Sequence, residues 1–134
     1  MAGFNFTKEP VSVPQVSTLY RRIKTLIPVP ESLPLLSELY EYESRSMHGQ
    51  IPIIWDKAYG SNVEDPWGNK WIDFTSTIFV ANAGHAHPHI VEGISKLLKQ
   101  PLLHTYTFAS KIRIQFLKKL IEVSPSYLTK AYLV

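Results

Sequence analysis

The sequence predicts a mixed α/β chain: a proline-broken arm with short helices, then a small antiparallel ribbon, then further helices. Three observations carry this. Apolar residues recur at helical spacing on both sides of residues 51–74, and β-branched or aromatic runs replace them inside that stretch. Asp65-Pro66-Trp67-Gly68-Asn69 has turn chemistry throughout, with Asp to cap, Pro to preset φ and Gly to accept positive φ. With 45% hydrophobic and 19% charged residues, the 134-residue chain has the composition of a folded protein with a modest core.

Taken in order, Pro10, Pro14, Pro28, Pro30 and Pro34 cut residues 1–34 into short pieces, which reads as an arm and not as core. Val16 to Leu26 is expected to form a short helix carrying Leu19, Ile23 and Leu26 on one side. Ser32 is placed to cap a second helix, with Pro34 in its first turn, Leu35, Leu36, Leu39 and Tyr40 as its stripe, and an end near Met47. Ile51-Pro52-Ile53-Ile54-Trp55, Asn62 to Asp65 and Lys70 to Phe74 read as the strands of the ribbon. Pro88 suits the first turn of a helix capped by His87, with Ile90, Val91, Ile94, Leu97 and Leu98 along it, and Gln100-Pro101 stops it. Ser110 opens a last helix that Ser124-Pro125 closes. Ala131-Tyr132-Leu133-Val134 reads as the start of a buried strand, an unusual place for a chain to stop.

Composition excludes several function classes. There is no cysteine, hence no disulfide scaffold, thiolate metal site or cysteine nucleophile, and the chain suits a reducing cytoplasm. No apolar run approaches the roughly 20 residues of a membrane span. The net charge of +3 is spread out, with Arg21-Arg22 and Lys118-Lys119 as the densest groups, which describes a solvated face and not a nucleic-acid surface. The six glycines are isolated, so no phosphate-cradling loop and no nucleophile elbow is present.

His85, His87 and His89 alternate, and on a strand three imidazoles so spaced would converge on one metal. With Glu92 they satisfy the His-x-His-x4-Glu core of the cupin motif, although Phe79 stands where that motif has glycine. Pro88 interrupts the alternation and helical periodicity follows it, so a loop-and-cap role competes with a small metal-binding or interaction module. Asp56, Glu64, Asp65 and Asp73 surround the ribbon, where turn capping and solvation account for them, and spacing indicates no acid–base pair.

An ordered series runs through residues 50–134: Pro52-Ile53-Ile54-Trp55-Asp56-Lys57-Ala58, then Val63 through Phe74 with Asp65, Gly68, Trp71 and Asp73, then Ser76, then Asn82-Ala83-Gly84-His85-Ala86-His87-Pro88, then Leu103-His104-Thr105. This resembles the N-terminal portion of the class III aminotransferases, pyridoxal-phosphate (PLP) enzymes of fold type I. The resemblance implies an arm over 1–49, the first part of a small domain over 50–109, and over 110–134 the start of a large cofactor domain that is cut off. It implies amino-group transfer from an amine or amino acid to a 2-oxo acid, by a longer protein of which this would be an inactive N-terminal fragment. An aminomutase, racemase or decarboxylase on the same scaffold is the alternative. A homodimer is implied too, with His104-Thr105-Tyr106 near its interface.

By this resemblance Ile78 and Phe79 match positions that wall the substrate pocket, a role that competes with core packing for both. No residue here matches a catalytic or PLP-holding position, the Schiff-base lysine included, and no metal ligand is assigned. Thr77 stands where the family generally has glycine, so a β-branched residue would meet any positive φ there with strain.

Overall fold

The structure, a computed structural model, describes residues 6–105 and 107–133, and divides into two compact units, Met1–Val91 and Glu92–Val134. The first unit is built on a five-stranded antiparallel sheet. Its strands are β1 (Val16–Ser17), β2 (Arg22–Ile23), β3 (Lys57–Tyr59), β4 (Asn62–Glu64) and β5 (Lys70–Ile72), in the order β1-β2-β5-β4-β3. The ribbon forms as the turn chemistry predicts: Val63 pairs with Trp71 and Glu64 with Lys70, while β3 meets β4 through a two-residue loop with Gly60 at φ +56.

The helix expected over Val16 to Leu26 is instead a β-hairpin. Val16 pairs with Ile23 and Ser17 with Arg22, and Arg22 pairs onward with Lys70. The Thr18 hydroxyl accepts from Arg21 N and donates to Arg21 O, offering this stretch a turn in place of a helical ladder. Pairing with the ribbon then decides the outcome. The arm is accordingly part of the core, since Ile23, Val29 and Leu36 are buried together with Val63. Pocketing of Ile27, Pro28 and Val29 against Pro52, Ile53, Trp67 and Trp71 shows the same packing.

Asn69 is the polar keystone of this unit, with 0% exposure. Its side-chain amide donates to Asp65 Oδ2 and to Thr25 Oγ1, both at 2.7 Å, and its Oδ1 accepts from Lys24 N at 2.8 Å. Asp65 Oδ1 in turn accepts from Trp67 N and Asn69 N. Arg22 Nε reaches Gly68 O at 2.6 Å. Every buried polar group of the turn thus has a partner, and those partners tie the arm to the ribbon.

Helix α1 (Leu33–Tyr42) begins at Ser32 with Pro34 in its first turn, as expected, but ends five residues before Met47, and a 3-10 turn follows at Arg45–Met47. Ser32 Oγ donates to Val29 O instead of capping the helix, and of the predicted stripe only Leu36 is buried. Residues 51–55 pair with no strand, so the expected first strand is absent: Pro52 cannot donate to a ladder, and Ile53 N donates to Ile51 O at 2.8 Å in a tight turn.

Helix α2 (Pro88–Leu98) starts where Pro88 predicts, with His87 O accepting from Ile90 N and Val91 N. In the second unit, α3 (Lys111–Glu122) is capped by Ser110 Oγ, which accepts from Arg113 N, and it ends at Val123, just before Ser124-Pro125. The strand expected at the C-terminus is not formed over residues 131–133, which have no paired partner, and Val134 lies outside the described residues.

Candidate functional site

Beyond β5 the chain does something that no local propensity favours. Ser76, Thr77, Ile78 and Phe79 all take positive φ, at +50, +49, +56 and +68, with ψ of 51 and 54 at Thr77 and Ile78. This is one turn of left-handed helix built without glycine. Each such residue costs roughly 1–2 kcal/mol, because its Cβ crowds the carbonyl oxygen. The strain expected at Thr77 is therefore present, and it extends over three neighbours.

Asp73 compensates. Its Oδ1 accepts from Thr75 N at 2.8 Å, from the Thr75 hydroxyl at 2.6 Å and from Ser76 N at 3.2 Å. Its Oδ2 lies 2.7 Å from His85 Nε2. Thr75 Oγ1 also accepts from Thr77 N, and Ser76 O accepts from Val80 N and Ala81 N. The Asp73 side chain is 2% exposed, while its bonds to Thr75 lie at the surface and those to Ser76 N and His85 are part-buried. The hydrogen bond from the Thr75 hydroxyl does most to hold the Asp73 carboxyl down, to a pKa of about 2; burial opposes it, and His85 and the Thr75 amide add to the depression. An ionised Asp73 only accepts, so His85 Nε2 carries the proton between them.

His85 is fixed in its turn. Gly60 N donates to His85 O at 2.9 Å and His85 N to Gly60 O at 2.7 Å, while the Trp55 ring meets the imidazole edge-on at 5.9 Å. Gly84 at φ +89 packs on Gly60 so closely that a Cβ there would sit 3.2 Å from Gly60 Cα. Gly60, Ser61, Asp73, Ser76, Ala81, Asn82, Gly84 and His85 line a cleft of about 260 Å³.

Ile78 and Phe79 stand at the tip of the turn, 80% and 76% exposed. His87 and His89 meet each other edge to face at 5.7 Å while His85 turns to Asp73, so the three imidazoles do not converge, and no metal-competent group of His, Asp or Glu occurs among the described residues. The metal-module alternative gains no support. In the second unit His104 is exposed and Thr105 half-buried, with Thr105 O accepting from Phe108 N; Tyr106 lies outside the described residues. The cleft does not fit PLP: its lining has no lysine, and its one carboxylate would repel a phosphate.

Sequence reasoning placed Asp73 among turn-capping carboxylates but missed its partner. The usable signal was local: an Asp followed by Thr75 and Ser76 is a side-chain-to-backbone turn. His85, twelve residues on, had none.

Strands β3 to β5, the left-handed turn and the following helix all lie within a stretch that matches a known family. Residues 43–133 match the family model described as aminotransferase class-III, and the chain belongs to that family. It is 32% identical over 82 residues to the ornithine aminotransferase of Saccharomyces cerevisiae, covering 61% of this chain and 19% of that protein. Among solved structures it is similar to acetylornithine aminotransferase from Elizabethkingia anophelis (TM-score 0.63, 25% identity, 69% of this chain and 24% of that one). It is similar as well to taurine:2-oxoglutarate aminotransferase from Bifidobacterium kashiwanohense in complex with PLP and glutamate (TM-score 0.60, 26% identity, 69% and 21%). The chain thus spans about a fifth of the length of the curated relative it matches. Class III aminotransferases are PLP-dependent, and no helix among the described residues is long and apolar enough to cross a membrane.

Proposed function

We propose that the chain is the ribbon-and-loop part of a PLP-dependent enzyme that moves an amino group from an amine or amino acid to a 2-oxo acid, and that Ile78 and Phe79 wall its donor pocket. The single observation behind this reading is the left-handed turn. It holds two apolar side chains out at a strained tip, inside the stretch that matches the family. PLP, when bound, supplies the electron sink for the reaction. What this chain supplies is a shaped, apolar edge that excludes water and selects side chains.

On this reading residues 1–49 form an N-terminal arm, 50–109 open the small domain and 110–134 begin the cofactor domain. The chain by itself is inactive, because the lysine, the acidic partner of the ring and the phosphate cradle belong to other parts of the enzyme. Exposure of the whole apolar stripe of α2, from Ile90 to Leu98, supports a fold completed by further structure. The working form is a homodimer. The cysteine-free sequence supports a reducing compartment, and we place the enzyme in the cytoplasm; an organellar location would replace that assignment.

The test is spectroscopic. The PLP-loaded enzyme containing this chain, mixed with L-ornithine, N-acetylornithine or taurine, should pass to its pyridoxamine form and return on adding 2-oxoglutarate. The 134-residue chain alone should show no turnover. Release of carbon dioxide or a racemised donor with no pyridoxamine form would instead identify one of the other PLP reactions.

A further inference from the structure

We propose that Asp73 and His85 are positioning residues for donor selectivity: their hydrogen bond closes the left-handed turn and so fixes where Ile78 and Phe79 stand. This rests on the reading that those two side chains wall the donor pocket.

Four successive L-residues at positive φ are each uphill, so the turn persists only if its surroundings over-determine it. Bonds within the turn, from Ile78 N and Phe79 N to Thr75 O and from Val80 N and Ala81 N to Ser76 O, contribute, and one carboxylate ties the turn to the sheet. Asp73 is anchored at the end of β5 by its own N–H on Ser61 O at 2.8 Å. From there Oδ1 gathers Thr75 and Ser76 at the base of the turn, and Oδ2 takes His85 beyond its far end. His85 is held by two backbone bonds to Gly60, so both anchors belong to the sheet and its hairpin loop. The loop 73–85 is thereby closed on rigid structure, with the carboxylate as its clasp.

A positioning role differs from a merely structural one in what the turn leaves exposed. A strained turn that served packing within this chain would bury its apolar side chains here. This one leaves Ile78, Phe79 and Val80 more than three-quarters exposed, while the Asp73 and His85 side chains that clasp it are 2% and 13% exposed. The device spends its bonds on where the tip is held, which is what a specificity wall requires.

Two readouts test this in the PLP-loaded enzyme containing this chain. The first is the ratio of kcat/KM for the two best donors of unequal bulk among taurine, L-ornithine and N-acetylornithine. The second is amide hydrogen exchange in the peptide spanning residues 76–82. His85→Ala should shift the donor ratio about tenfold and speed exchange in that peptide about tenfold or more. His85→Gln, whose amide nitrogen can replace Nε2 as donor to Asp73, should restore most of both. Thr75→Val, which removes the 2.6 Å bond, should shift both in the same direction by less, and it stands in if His85→Ala does not fold. Unchanged exchange would overturn the clasp, and so would a uniform loss of kcat for both donors that His85→Gln does not restore. The underlying reading fails separately: an Ile78→Ala/Phe79→Ala enzyme with an unaltered donor ratio would show that the tip is not a pocket wall. If that variant shifts the ratio and His85→Ala does not, the wall stands and the clasp inference falls.

Discussion

Two turns of the first unit solve the same backbone problem in opposite ways. The turn joining β4 to β5 places its positive φ on Gly68, and a buried Asn69, with Asp65 and Arg22, satisfies the polar groups around it. The turn after β5 places positive φ on four residues with side chains and relies on Asp73 to hold them. The first is relaxed and welded to the core; the second is strained and carries exposed apolar side chains. A relaxed turn serves stability. A strained one persists where position matters more than stability, which is why the functional reading settles on residues 73–85.

The comparison can be broken most forcefully at the relaxed turn. Asn69→Ala should cost roughly 3–5 kcal/mol, because Asp65 Oδ2, Thr25 Oγ1 and Lys24 N all lose a buried partner. Chemical denaturation would show it as a collapse of the transition midpoint, and a loss below about 1 kcal/mol would contradict the keystone role. Next is Asp73→Ala, expected to destabilise by about 2–3 kcal/mol as charge-assisted bonds to Thr75, Ser76 and His85 disappear.

The same residue gives a pH signature. Its folded-state pKa of about 2 lies below the ordinary unfolded value near 3.9. Its contribution is therefore complete above about pH 4 and is lost as pH falls through 2. Asp73→Asn should flatten that part of the acid-unfolding curve.

Glycine exchanges sharpen the contrast with smaller effects of opposite sign. Gly68→Ala should destabilise by about 1–2 kcal/mol, since φ +86 admits a Cβ only with strain. Thr77→Gly should stabilise by about 0.5–1 kcal/mol, the relieved strain exceeding the added chain entropy. Two changes of the same sign in thermal unfolding would dissolve the distinction between the turns.

How much of this was legible in the sequence follows from the range of each signal. The Asp65–Asn69 turn, the start of α1, the Pro88 helix and the Ser110 cap rest on residues within four positions of one another, and all are found. Val16 to Leu26 has helical spacing, but its fate was decided by Lys70, nearly fifty residues away. Residues 51–55 and 131–133 have strand composition but enter no ladder, so composition misled there. At the site, the strain at Thr77 followed from the family resemblance, and Asp73's capping role could be read locally. The Asp73–His85 bond could not, because it exists only once the β3–β4 loop has brought Gly60 against Gly84 and His85.

The central claim is that the strained tip forms the donor-facing wall of an aminotransferase. The direct measurement is the rate at which the PLP-loaded enzyme containing this chain is converted to its pyridoxamine form by donors of unequal bulk, with and without Ile78→Ala/Phe79→Ala. The account predicts conversion in both enzymes and a donor order changed by about tenfold in the variant. Failure to form pyridoxamine phosphate, or an identical donor order in the two enzymes, would contradict it.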